Sequence, residues 1–101
     1  MILHLILIRF RPGTEPARIA RAFEGMLTMR GKIPEIRELS WSPNLGPSAD
    51  EYSHVLRVTL DDMDAVQRYL DHPAHRAAVA EHLSEIREAR LAVDIEVNGE
   101  P

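Results

Sequence analysis

The first ten residues, "MILHLILIRF", are apolar at almost every position. Ile2, His4, Ile6, Ile8 and Phe10 form one alternating series, and Leu3, Leu5, Leu7 and Arg9 form the other. That period reads as a strand over 2–10 with two largely apolar faces, both of which need cover. "RPG" breaks it. The period then changes. Ile19, Phe23, Met26 and Leu27 recur at helical spacing and predict a helix over 15–30. Thr14 is its candidate N-cap, Pro16 sits in its first turn and Gly31 fits its stop.

"IRELSWS" (36–42) reads as a second strand, and "PNLGPSADE" (43–51) as a loop rich in turn formers. "YSHVLRVTL" (52–60) reads as a third strand, with His54, Leu56, Val58 and Leu60 on its apolar side. "DDMDAVQRYL" opens on acidic caps and predicts a short helix. Asp71 and Pro73 fit the start of a further helix. Val79, Leu83 and Ile86 are its buried stripe, and Glu85, Arg87, Glu88 and Arg90 its solvated face. "LAVDIEV" closes the pattern as a fourth strand, followed by a polar tail.

The order strand, helix, strand, strand, helix, strand predicts an α+β chain of the split βαβ, ferredoxin-like class. Its four-stranded antiparallel sheet would carry the helices on one face. No segment remains to cover the other, so a second copy is expected there, sheet against sheet, as a barrel-like homodimer. Trp41 alternates with Leu39 and is assigned to that dimer core or to loop packing. Residues 1–101 are read as one domain.

Composition narrows the function. The net charge of −4, without a basic run, argues against nucleic acid. No apolar stretch approaches the roughly 20 residues of a membrane helix, and the first strand lacks the flanks of a signal peptide, so a cytoplasmic protein is expected. There is no cysteine, which removes thiol catalysis, disulfides and thiolate metal sites. No phosphate-binding glycine loop or hydrolase elbow is present.

What remains is "YLDHPAH", residues 69–75. An imidazole exchanges protons near neutral pH, and a phenol can donate to an oxyanion. If the two central strands run parallel, His4 and His54 lie at one end of the core. Tyr69, His72 and His75 at the helix junction would close that same end, leaving out His82. Tyr69 reads equally as core, and His72 before Pro73 as a capping residue. His72 and His75 have ligand-like spacing, but no carboxylate or cysteine completes a tetrahedral metal set.

In combination, "HLILIRF", "KIPEI", "YSHVLRVTL", "YLDHPAH" and "DIEV" resemble the stress-responsive dimeric α/β-barrel (Dabb) family over nearly the whole chain. The resemblance implies a ferredoxin-like monomer that dimerises through its sheet. The stretch from Tyr52 to His75 is similar to the family's plant polyketide cyclases, which close a linear poly-β-ketone by aldol condensation without a cofactor. On that resemblance His75 is the general base and Tyr69 the oxyanion donor, while His4, Ile6, Ile8, Phe23, His54 and His72 line the substrate pocket. Met26 and Ile86 replace aromatic residues, so the pocket shape should differ. Two readings stand: a cofactor-free cyclase or lyase for a small apolar or β-keto ligand, and a non-catalytic stress-responsive dimer in which Tyr69 and His75 are structural.

Overall fold

The computed structural model describes residues 1–97. Strand β1 spans Ile2–Phe10, helix α1 Pro16–Leu27, β2 Glu38–Pro43, β3 His54–Leu60, α2 Met63–Asp71, α3 Pro73–Ala78 and β4 Arg87–Glu96. The four strands form one sheet in the order β2-β3-β1-β4, and every neighbouring pair is antiparallel. The expected ferredoxin-like architecture is present, with the helices on one face. The polar tail lies outside the described residues.

The strand directions correct one expectation. β1 and β3 are central neighbours, but they run antiparallel. His4 therefore stands opposite Val58, and His54 opposite Ile8. The two histidines are four residues apart along β3, about 13 Å at strand rise. They occupy opposite ends of the interior rather than one.

Alternation decides which face is which. Ile2, His4, Ile6, Ile8 and Phe10 are buried beneath the helices, while Leu3, Leu5 and Leu7 are only partly covered. On β4 the outward series Leu91, Val93 and Ile95 lies opposite Leu7, Leu5 and Leu3, and it is exposed. An unbroken apolar surface thus covers the helix-free face of β1 and β4. The inward series of β4 is Arg90, Ala92, Asp94 and Glu96, and all four are exposed, as no helix lies over this edge.

Several local expectations need adjusting. The first helix ends at Leu27, and a tighter 3₁₀ turn carries the chain from Thr28 to Gly31. Thr14 does not cap it. Its hydroxyl donates to the Arg11 carbonyl at 2.7 Å and closes the preceding turn, while Glu15 is the N-cap residue. His72, not Asp71, caps α3: its Nδ1 accepts the Ala74 amide at 3.0 Å. Helix α3 then passes into a π-helical turn, Val79–Leu83, and the chain turns before Ile86. Arg87, Glu88 and Arg90 belong to β4 and not to a helix surface. Trp41 is also reassigned. It lies opposite Leu56 on the helix side of the sheet and stacks on Phe23, ring centroids 4.5 Å apart.

Candidate active site

The site is built by one break in a helix. Pro73 cannot donate an amide and biases the residue before it toward extended backbone. His72 accordingly adopts φ −65° and ψ 134°, and α2 ends where α3 begins. Asp62 starts α2 by accepting the Ala65 amide at 2.8 Å. Its apolar face seats Ala65, Val66 and Tyr69 on the sheet. Tyr69 thus hangs from the last turn of α2, and His75 from the first turn of α3.

The last carbonyls of a helix lack intrahelical partners. One of them, Leu70 O, lies 3.1 Å from His75 Nδ1. A carbonyl only accepts, so Nδ1 carries the proton, and in the neutral ring Nε2 holds the free lone pair. Burial pushes the His75 pKa below its ordinary 6.5, against the pull of the Leu70 bond. The neighbouring His4, Arg90 and Arg76 push the same way. The ring is therefore neutral at pH 7 and able to accept a proton.

Tyr69 is 1% exposed, and its ring lies 4.7 Å from that of His75. Burial raises its pKa far above the ordinary value of 10, so the hydroxyl remains a donor. No hydrogen bond joins that hydroxyl to another described residue, and since no buried side-chain nitrogen or oxygen among the described residues lacks a partner, its oxygen is open to the cavity that Tyr69 lines. His4 completes the group. Its ring meets Tyr69 edge-on at 5.7 Å, and its Nδ1 lies 2.5 Å from Asp94 Oδ1, directly across the β1–β4 ladder.

These side chains share a cavity of about 460 Å³ between sheet and helices. His4, Tyr69, His75 and Asp94 line it, with Ile6, Met26 and Leu83 among its apolar walls. That volume falls within the range of small-molecule sites.

Of the residues expected to converge, the structure gathers His4, Ile6, Tyr69 and His75. It sets the others apart from the cavity. His72 is spent as a helix cap. Ile8 and Phe23 are fully buried in the core. His54 packs among Phe10, Phe23 and Trp41 at the far end, with Nδ1 bonded to Ser53 Oγ at 2.7 Å. Of the two shape-changing positions, Met26 reaches the cavity, while Ile86 packs in the core outside it. Sequence reading missed Asp94, Arg76, Arg87 and Arg90, all on the cavity wall. A signal existed: "LAVDIEV" alternates, so Asp94 falls opposite the parity of the apolar series and hence on the inner face.

Comparison with known proteins fits this architecture. Residues 2–97 match the stress responsive A/B barrel domain. The chain belongs to that family. An uncharacterized protein of Streptomyces coelicolor is 36% identical over 84 residues, 79% of this chain and 84% of its own. Olivetolic acid cyclase of Cannabis sativa is 27% identical over 74 residues, covering 71% of this chain and 73% of the enzyme. Among solved structures, a dimeric ferredoxin-like protein of unknown function from Thermobifida fusca superposes with a TM-score of 0.78. It is 28% identical, over 95% of this chain and 90% of that one. In this A/B-barrel protein no helix among the described residues is long and apolar enough to cross a membrane.

Proposed function

We propose that this A/B-barrel protein is a homodimeric, cofactor-free enzyme of the aldol-cyclase or lyase type, acting on a β-keto or polyketide-like small molecule. The observation that carries the reading is the state of the two polar groups at the cavity. His75 has one nitrogen committed to Leu70 O and the other free, beside a Tyr69 hydroxyl without a partner. A base and an oxyanion donor are thereby held side by side, in the protonation states that each role needs.

In the proposed reaction, His75 Nε2 removes a proton from a methylene flanked by carbonyls. The electron pair moves onto a carbonyl oxygen, and Tyr69 donates a hydrogen bond to the charge that develops there. In a cyclase step the enolate carbon then attacks a distant carbonyl of the same molecule, and the new alkoxide takes a proton from the His75 imidazolium. His4 and Ile6 contact substrate, with the His4 ring held by Asp94. The likeness to olivetolic acid cyclase supports this choice of reaction class. The alternative, a non-catalytic dimer with structural Tyr69 and His75, draws on the His75–Leu70 bond. It leaves the cavity and the unpartnered hydroxyl without a role.

The exposed Leu91, Val93 and Ile95 beside Leu3, Leu5 and Leu7 support the dimer. A second copy would remove this surface from water, and the dimeric Thermobifida relative supports it. Val93→Asp should convert a dimer to a monomer in analytical ultracentrifugation.

The catalytic reading is tested on methyl 3-oxohexanoate in D2O, following hydrogen–deuterium exchange at C2 by NMR. Wild type should accelerate exchange over buffer. His75→Gln should lose about 10²- to 10³-fold of the rate with an unchanged melting transition. A wild-type rate equal to that of buffer overturns it.

A further inference from the structure

We infer that the cavity takes an amphiphilic anion, with its carboxylate or phosphate head group held by Arg87 and Arg90 and its apolar body running inward toward Tyr69 and His75. Both arginines line the cavity, yet neither reaches a carboxylate or makes a side-chain hydrogen bond among the described residues. This is a chain with 16 acidic and 12 basic residues, so carboxylates are plentiful. Arg9, Arg18, Arg37 and Arg68 each pair with one, while Arg11, Arg21, Arg30 and Arg57 reach none among the described residues; what sets Arg87 and Arg90 apart is that their side chains line the cavity. Arg76, the third guanidinium on the wall, has Asp71 at 3.7 Å.

The placement of the charges gives the cavity a direction. Arg90 stands opposite Ile8 and Asp94 opposite His4, on the inner face of β4. Four residues of strand separate them by about 13 Å. Ala92 lies between and leaves room. Asp94 is already bonded to His4 at one end, where it would repel an anion. Arg87 and Arg90 form the other end, and Arg87 is partly buried. Burial and the nearby positive charge of Arg90 both push the Arg87 pKa down. An anion between them would relieve that repulsion, and a planar guanidinium matches two oxygens at once.

That this anion is the substrate rests on the function proposed above; that it binds does not. The test uses the intact protein and three probes: hexanoate, monohexyl phosphate and methyl hexanoate, titrated by NMR. Wild type should bind at least one anion about tenfold or more tightly than the neutral ester. The tighter anion identifies the head group. Arg87→Gln/Arg90→Gln should bring anion and ester within about twofold, with ester affinity and the urea midpoint unchanged. Equal binding of ester and anions by wild type, no anion binding, or a preference that survives the double substitution overturns the proposal. Exchange at C2 of the neutral methyl 3-oxohexanoate separates the two ideas. If exchange fails while the anion preference stands, the His75 chemistry falls and the anion site remains. The reverse result removes the anion site alone.

Discussion

Each end of this monomer's interior has a histidine on the inner face of a central strand, and the two ends are built in opposite ways. Around His54 the space is filled with rings. Phe23 stacks on Trp41 with planes 7° apart and meets Phe10 edge-on at 89°. Around His4 the same sheet leaves a cavity of about 460 Å³. The difference lies in what stands over the sheet. Helix α1 is continuous over its twelve residues and delivers Phe23 and Met26 into the core. The other cover is broken at Pro73, widened by a π-helical turn, and faces the unroofed, polar inner edge of β4. Packing fills one end of the sheet and a cavity opens at the other, so on the function proposed above substitutions should separate stability from chemistry.

The largest effect belongs to the packed end. Phe23 is fully buried between Trp41, Phe10 and His54. Phe23→Ala removes the stacked ring and leaves a void that its neighbours cannot fill. It should cost about 3–5 kcal/mol in urea unfolding. C2 exchange on the neutral β-keto ester should survive at denaturant concentrations where the variant stays folded. A loss below about 1 kcal/mol would show that the packed end does not carry the fold.

Gly25 gives the next effect, at the seam between α1 and the π-helical turn. A Cβ built there would lie 2.3 Å from the His82 ring, well inside contact distance. Gly25→Ala gains helix propensity but must displace that ring or the turn that carries it. A net loss of about 1–3 kcal/mol is expected by urea unfolding. His82→Ala in the same chain should return most of it, which ties the cost to this one contact.

Much of this fold was legible because burial leaves a period. The two-faced run of β1 announced a sheet covered on both sides, and the order of elements announced the split βαβ arrangement. Strand direction was legible too, but by connection and not by composition. β2 turns back on β3 through a single loop, so those two are antiparallel, while the α1 crossover leaves β1 and β2 parallel with β3 between them. That logic puts β3 antiparallel to β1 and sends His54 away from His4. The start of β4 was harder. Arg87, Glu88 and Arg90 are all charged, so no alternation of apolar and polar residues along the sequence reveals a strand there, and their spacing imitates a helix surface. Trp41 could be assigned to a face only once the register set it opposite Leu56. At the site, "YLDHPAH" displayed its chemistry openly. The tautomer of His75 depended on a carbonyl five residues earlier, which only the broken helix brings within reach.

The two ends should also respond to acid in a measurable way. Burial lowers the pKa of both His54 and His75 below 6.5. Both rings stay neutral in the folded chain while the unfolded chain takes up protons from about 6.5 downward. The unfolded state binds more protons in that window, so stability rises with pH through it. The contribution is complete above about 6.5 and is lost as pH falls toward the folded-state values. The urea midpoint should therefore be lower at pH 5.5 than at pH 7.5. His54→Gln and His75→Gln should each flatten part of that slope, and flattening by His75→Gln should coincide with loss of C2 exchange.

The smallest expected effect on stability discriminates best. The Tyr69 ring is almost wholly buried, yet its hydroxyl is open to the cavity and bonds to nothing among the described residues. A buried tyrosine with a partnered hydroxyl loses about 1–3 kcal/mol when that group leaves a bonded atom unsatisfied. Tyr69→Phe keeps the ring against His4 and His75 and strands no partner. Its urea midpoint should shift by no more than about 0.5 kcal/mol in stability, in either direction. On the proposed mechanism C2 exchange should nevertheless fall about 10²-fold, because the variant loses the donor assigned to the developing enolate oxygen. If the variant were destabilised by 1 kcal/mol or more with exchange unchanged, the hydroxyl would be part of the core. Both ends of the sheet would then serve the fold, and the division between them would fail.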